Sequence, residues 1–199
     1  MPQLPNLLSL LRLACVPVLV VLANQEREGA FFGLVVAAWA TDGLDGWLAR
    51  RFDWVSRLGA VLDSVADISL IVAILYGVWC FHPVVYTDHG ALLWAIVVVW
   101  TGVHLVSLVR YGRTSSFHTR LAQAGILLFA AFVLALFTKG FVPVLYYVAG
   151  SVCLLAGFEN AAMVWALDAW HPDVPGLAAA LRRRAESRKS GLPRSASND

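Results

Sequence analysis

Apolar residues in this chain come in long blocks instead of alternating at a helical or strand period. A helix that crosses a bilayer needs about 20 largely apolar residues. Six blocks approach or reach that length: 7–23, 31–49, 58–80, 91–109, 121–137 and 142–166. The links between them are short, which predicts antiparallel neighbours. Pro83 and Gly90 punctuate the link after the third block, and Lys139-Gly140 the link before the sixth. No soluble domain interrupts the run. From about Pro172 the composition turns to Pro, Gly, Arg and Ser. The stretch LAAALRRRAESRK there reads as a short basic surface helix, and the last ten residues read as disordered. The pattern predicts an all-α polytopic membrane domain over residues 1–171 and a basic tail over 172–199.

Composition agrees with the pattern. Of 199 residues, 59% are hydrophobic and 14% charged, where a soluble domain carries about 25% charged residues. Cys15, Cys80 and Cys153 each lie inside an apolar block with no paired spacing, so they read as packing residues and imply no disulfide framework. The first block lacks a basic leading region and a small-residue cleavage site, and it carries Arg12 in its middle, so it reads as a span and not as a signal peptide.

Net charge is only +2, but it is unevenly placed. Arg50, Arg51 and Arg57 sit between the second and third blocks, and Arg110, Arg113 and Arg120 between the fourth and fifth. Arg182, Arg183, Arg184, Arg188, Lys189 and Arg194 follow the sixth. The alternate links hold only Arg27 and Lys139. Basic residues stay on the cytoplasmic side, which predicts six transmembrane helices with both termini in the cytoplasm. No nucleic-acid partner is expected.

Four aspartates then stand out. Asp42 and Asp45 close the second block at i and i+3, and Asp63 and Asp67 open the third at i and i+4. Each pair shares a helical face. A charged aspartate in mid-membrane costs about 2.5–3.5 kcal/mol on insertion scales, and four together also repel one another. They must be protonated, paired with cations or bound to metal. Pairing with Arg50, Arg51 and Arg57 is the plainest alternative, yet exposed ion pairs contribute roughly 0–1 kcal/mol and require no repeated spacing. Asp53, alone in the link, reads as a solvated charge.

A carboxylate-only site suits a hard ion such as Mg²⁺, Mn²⁺ or Ca²⁺. Four carboxylates exceed what one divalent ion requires, so a pair of ions is expected, an arrangement suited to displacement at phosphorus. Gly46 lies one turn after Asp42, and Gly59 one turn before Asp63. Missing side chains there leave room for a diphosphate, or equally for close helix packing. Arg50, two turns beyond Asp42, is placed to grip phosphate oxygens.

These residues carry a resemblance. Asp42-x-x-Asp45-Gly46-x-x-Ala49-Arg50, eight residues, then Gly59-x-x-x-Asp63-x-x-x-Asp67 resembles the signature of the CDP-alcohol phosphotransferase family at every fixed position. The opening PNLLSLLR and the six-block layout are similar to bacterial phosphatidylglycerophosphate synthase-like members. The resemblance implies a metal-dependent transferase, with two Mg²⁺ or Mn²⁺ ions, that moves a phosphatidyl group from CDP-diacylglycerol to an alcohol and releases CMP. Asp42, Asp45, Asp63 and Asp67 would hold the metals, with Asp67 also the general base on the acceptor hydroxyl. Gly46, Arg50, Ser56 and Gly59 would bind the CDP moiety. It further implies a homodimer and a site on the cytoplasmic face of a bacterial inner membrane.

The acceptor is less constrained. Arg110, Arg113, His118 and Arg120 lie in one link on the expected cytoplasmic side. Guanidinium groups there suit a phosphorylated alcohol, glycerol 3-phosphate first, but they also satisfy the topology rule. Family members of the phosphatidylglycerophosphate type often carry lysines where this chain reads FHTRLAQ. Inositol phosphate, phosphatidylglycerol and serine remain alternative acceptors. Glu159, deep in the sixth block, is expected to line a cavity or meet a polar neighbour. From another class, a carboxylate-dependent transporter would place its site near the midplane on interrupted helices with internal repeats. Neither feature is apparent.

Overall fold

The computed structural model describes residues 4–52, 57–111, 119–166 and 176–177, and within them the side chains of all but 4–6, 44–52, 57, 58 and 60. Seven helices make up the described chain: α1 (Leu4–Asn24), α2 (Glu28–Phe52), α3 (Arg57–Phe81), α4 (Val84–Thr87), α5 (Gly90–Tyr111), α6 (Arg120–Lys139) and α7 (Pro143–Ala166). No strand occurs among the described residues. The all-α expectation holds.

Six long helices coincide with the six apolar blocks and overrun them by up to about a turn. Hydropathy marks what the bilayer accepts, whereas the backbone ladder continues until something breaks it. The breaks are identifiable. Glu26 between α1 and α2 has φ 57° and so takes the left-handed conformation that closes many helices. Gly140 after α6 has φ 86°, and its N–H donates to the Leu136 carbonyl at 3.1 Å. α7 starts on Pro143, whose missing N–H costs nothing in a first turn. The link containing Pro83 holds the single turn α4, whose Tyr86 hydroxyl donates to the Leu75 carbonyl of α3 at 2.7 Å.

Among the described residues, five helices are long and apolar enough to cross a membrane: α1, α3, α5, α6 and α7. α2 has 25 residues but gives its second half to the polar aspartate motif, which shortens its apolar stretch. Large apolar side chains are exposed as freely as they are buried; Val109, Val144 and Leu127 are 88%, 75% and 71% exposed. A helix that is apolar all round belongs in a hydrocarbon solvent.

The chain forms two compact units that divide between Asp88 and His89. In the first, α1 packs along both α2 and α3, while α2 and α3 touch each other at few points. α1 thus lies against both partners. α2 and α3 do meet where α2 begins and α3 ends. Phe31 is fully buried against Gly77, where an added Cβ would lie 2.1 Å from the Phe31 Cζ. Its ring also meets Phe81 edge-on at 5.4 Å, and Glu28 pairs with His82 at 3.0 Å. Tyr76 of α3 donates to Asn24 of α1 at 2.5 Å.

The second unit repeats the scheme, with α7 packed against both α5 and α6. Gly150 and Gly157, two turns apart, admit Leu92 and Val99 of α5, and Gly125 of α6 faces Cys153. Without a hydrophobic drive between helices in lipid, small residues permit the close approach on which dispersion and interhelical hydrogen bonds depend. Two such bonds reach α7 carbonyls: Trp100 Nε1–H donates to Cys153 at 3.0 Å, and the Tyr111 hydroxyl to Val164 at 2.7 Å.

Candidate metal centre

Three carboxylates converge in the first unit. Asp63 and Asp67 stand one turn apart on α3, and Asp42 comes from α2. One oxygen from each lies within 4.8 Å of the other two. Between them sits a side chain from α1. Arg12 Nη1 is 2.5 Å from Asp67 Oδ1, 2.7 Å from Asp42 Oδ1 and 3.2 Å from Asp63 Oδ1. The Arg12 side chain is 0% exposed, while the three aspartates are close to half exposed.

Helix geometry explains the convergence. The i, i+4 spacing puts both α3 carboxylates on one face. α1 runs alongside that face, so a long guanidinium side chain on α1 reaches both, and Asp42 at the same level of α2 closes the third side.

The residues fit a divalent ion. All three donors are carboxylate oxygens, the hard ligands that Mg²⁺, Mn²⁺ and Ca²⁺ take. At metal–oxygen distances of about 2.1–2.4 Å, oxygens on opposite sides of one ion stand about 4.2–4.8 Å apart. The observed oxygens lie no farther apart than that upper value. Three carboxylates against one guanidinium leave a net charge of −2, which a single divalent ion balances. The three carboxylates are also close to half exposed, so a ligand can reach them.

The remaining expected residues divide by location. Asp45, Gly46 and Arg50 lie in α2, with side chains outside the described set; Ser56 lies outside the described residues. Gly59 stands in the first turn of α3, one turn before Asp63, and is half-buried. The alternative pairing of the aspartates with Arg50, Arg51 and Arg57 falls on undescribed side chains, and the pairing observed is with Arg12. Sequence reasoning missed Arg12 as a site residue. The signal was present, since an ionisable group inside an apolar span is by default a functional candidate.

The acceptor candidates belong to the second unit. Arg110 ends α5 with its guanidinium 5.5 Å from the Tyr111 ring centroid and 5.8 Å from that of Trp165, within cation–π range. Arg120 opens α6 and is exposed. Just before it, buried Thr119 caps the helix, its hydroxyl accepting from the Ala122 N–H at 3.1 Å. Arg113 and His118 lie outside the described residues. Glu159 meets a polar neighbour, as expected: its Oε1 accepts from the Leu177 N–H at 3.2 Å. Leu177 itself packs against the buried cluster of Val103, Met163 and Val164.

Comparison with known proteins gives relatives of two named activities. The chain is 39% identical over 98 residues to CDP-diacylglycerol–glycerol-3-phosphate 3-phosphatidyltransferase 1 of Arabidopsis thaliana, covering 48% of this chain and 33% of that one. It is 38% identical over 75 residues to the like-named protein of Pseudomonas fluorescens, covering 36% and 38%. It is also 33% identical over 111 residues to the CMP-forming cardiolipin synthase of Rattus norvegicus, covering 55% and 35%. The aligned part thus spans well under two thirds of each relative's length. No solved structure matches the chain significantly. The profile of the CDP-alcohol phosphatidyltransferase family matches residues 2–167. With the aspartate signature complete and three of its four carboxylates gathered at one point, this chain belongs to the CDP-alcohol phosphatidyltransferase family.

Proposed function

We propose that this protein is a phospholipid-synthesis transferase that moves a phosphatidyl group from CDP-diacylglycerol to glycerol 3-phosphate and releases CMP. The observation that carries the reading is the convergence of Asp42, Asp63 and Asp67 on one point in a chain with the full family signature. Relatives bearing the glycerol 3-phosphate name support the acceptor.

Asp42, Asp45, Asp63 and Asp67 would hold two Mg²⁺ or Mn²⁺ ions, which when bound would neutralise the diphosphate and stabilise CMP as leaving group. Gly46 and Gly59 leave space for the diphosphate beside α2 and α3, and Arg50 and Ser56 hold its oxygens. Asp67 accepts the proton of the acceptor hydroxyl. As that oxygen bonds to the β-phosphorus, the bond from phosphorus to the CMP oxygen breaks, and Asp67 later returns its proton to water. Arg110, Arg113, His118 and Arg120 bind the acceptor phosphate. The domain crosses the membrane six times, α2 included, with both termini and the site on the cytoplasmic side of a bacterial inner membrane. Residues 172–199 form a basic tail, and the protein works as a homodimer.

A second acceptor is favoured by a specific finding: some relatives carry the cardiolipin synthase name. In that reading phosphatidylglycerol supplies the hydroxyl and the rest of the chemistry is unchanged. CMP release from CDP-diacylglycerol with Mg²⁺ or Mn²⁺, measured across an acceptor panel, separates the two. Turnover with glycerol 3-phosphate but not phosphatidylglycerol is expected. No CMP release with any alcohol would overturn the reaction class.

A further inference from the structure

Arg12 is a described side chain at the aspartate cluster that the family signature leaves unexplained. It is a charged residue in the middle of a span, 0% exposed, and one nitrogen touches all three carboxylates at 2.5–3.2 Å. It does so from a third helix, α1, which packs along both helices that carry the aspartates. A guanidinium offers five donors on a planar fork and stays charged under all physiological conditions. Its Nη1 occupies the point where a cation shared by the three oxygens would sit.

We propose that Arg12 is an internal counter-cation of the metal centre: it holds the three aspartates together before metal binds and competes with the metal for them. Two physical arguments support this. Three carboxylates within 4.8 Å of one another repel strongly in a low-dielectric surrounding, and a buried positive charge among them relieves that repulsion. A guanidinium nitrogen and a divalent ion cannot share one carboxylate cage without repelling each other, so metal entry must displace Nη1 from it. The same contacts that order the site therefore lower its affinity for metal. In this role Arg12 is a positioning residue, because it acts through the aspartates and joins α1 to the geometry of a site whose ligands lie on α2 and α3.

The inference rests on the divalent-metal reading of the aspartates but not on the transferase reaction. Its test uses the full chain in detergent, with Mn²⁺ alone as probe. Binding is followed by the paramagnetic resonance signal of free Mn²⁺, and unfolding by the fluorescence of the eight tryptophans. Arg12→Gln should bind Mn²⁺ about ten- to a hundredfold more tightly, the weight of a charge-assisted contact. Its Tm in EDTA should fall by several degrees, and saturating Mn²⁺ should restore most of that loss. Should Arg12→Gln fail to insert, Arg12→Lys keeps a cation whose shorter reach holds it less closely among the three carboxylates. That variant should shift both readouts in the same direction by less.

Equal loss of Tm with and without Mn²⁺ would make Arg12 an ordinary packing contact and overturn the proposal. So would unchanged or weaker Mn²⁺ binding. Absence of Mn²⁺ binding by the unaltered chain would remove the metal reading and this inference with it. A chain that binds Mn²⁺ yet releases no CMP would tell against the reaction alone.

Discussion

At the residue scale, the aspartates are distinguished by what each can lose. In the proposed metal centre Asp42 and Asp63 serve as oxygen donors, and an amide keeps the shape while removing the charge that would hold a divalent ion. Asp42→Asn and Asp63→Asn should each abolish most CMP release while membrane insertion persists. EDTA should do the same to the unaltered chain, with Mg²⁺ or Mn²⁺ restoring turnover. Full activity in metal-free membranes would contradict the site. In the proposed reaction Asp67 has a second task as proton acceptor. Asp67→Asn should therefore lower kcat by about 10²–10⁴ while much of the binding of CDP-diacylglycerol survives. A variant that bound no nucleotide would reduce Asp67 to a ligand.

Glycines govern the element scale, because they set how closely helices approach. Gly77 on α3 faces the fully buried Phe31 ring of α2, at the end of the pair away from the aspartates. Gly77→Ala would press a methyl into that ring and should destabilise by about 1–3 kcal/mol, the usual range for overpacking. Gly33 on α2 has nothing within 4 Å of an added Cβ. Gly33→Ala should be neutral or stabilise by up to about 1 kcal/mol through helix propensity. Thermal unfolding of both variants in detergent checks the contrast, and equal shifts would show that the Phe31–Gly77 contact does not limit packing. Any lost α2–α3 contact should also reduce activity, since the same two helices carry the metal ligands.

For the whole molecule the open choice is the acceptor. In the proposed reaction metals and Arg50 answer the charge of the diphosphate, which leaves other arginines for a second anion. A phosphomonoester brings about two negative charges and three acceptor oxygens, and guanidinium forks match them. Arg110→Ala should raise the KM for glycerol 3-phosphate about ten- to a hundredfold, with little change in that for CDP-diacylglycerol. Arg110 also rests beside the Tyr111 and Trp165 rings, so unchanged acceptor kinetics would assign it to packing at the end of α5.

The amino-acid sequence by itself determined the helical class, the positions of six long helices, the aspartate spacing and the family. Each of these follows from local information: block length matches bilayer thickness, and i, i+4 spacing defines a face whatever surrounds it. Partner choice among helices is not local. In lipid every span is apolar on all sides, so hydropathy does not say which face meets which neighbour, and small residues and rare polar groups decide it. The placement of α1 along α2 and α3 came only from tertiary structure, as did the role of Phe31 against Gly77. Arg12 illustrates the division. Its charge inside an apolar block was visible along the chain, but the three carboxylates that account for it lie 30, 51 and 55 residues away and meet it only once α1, α2 and α3 have packed.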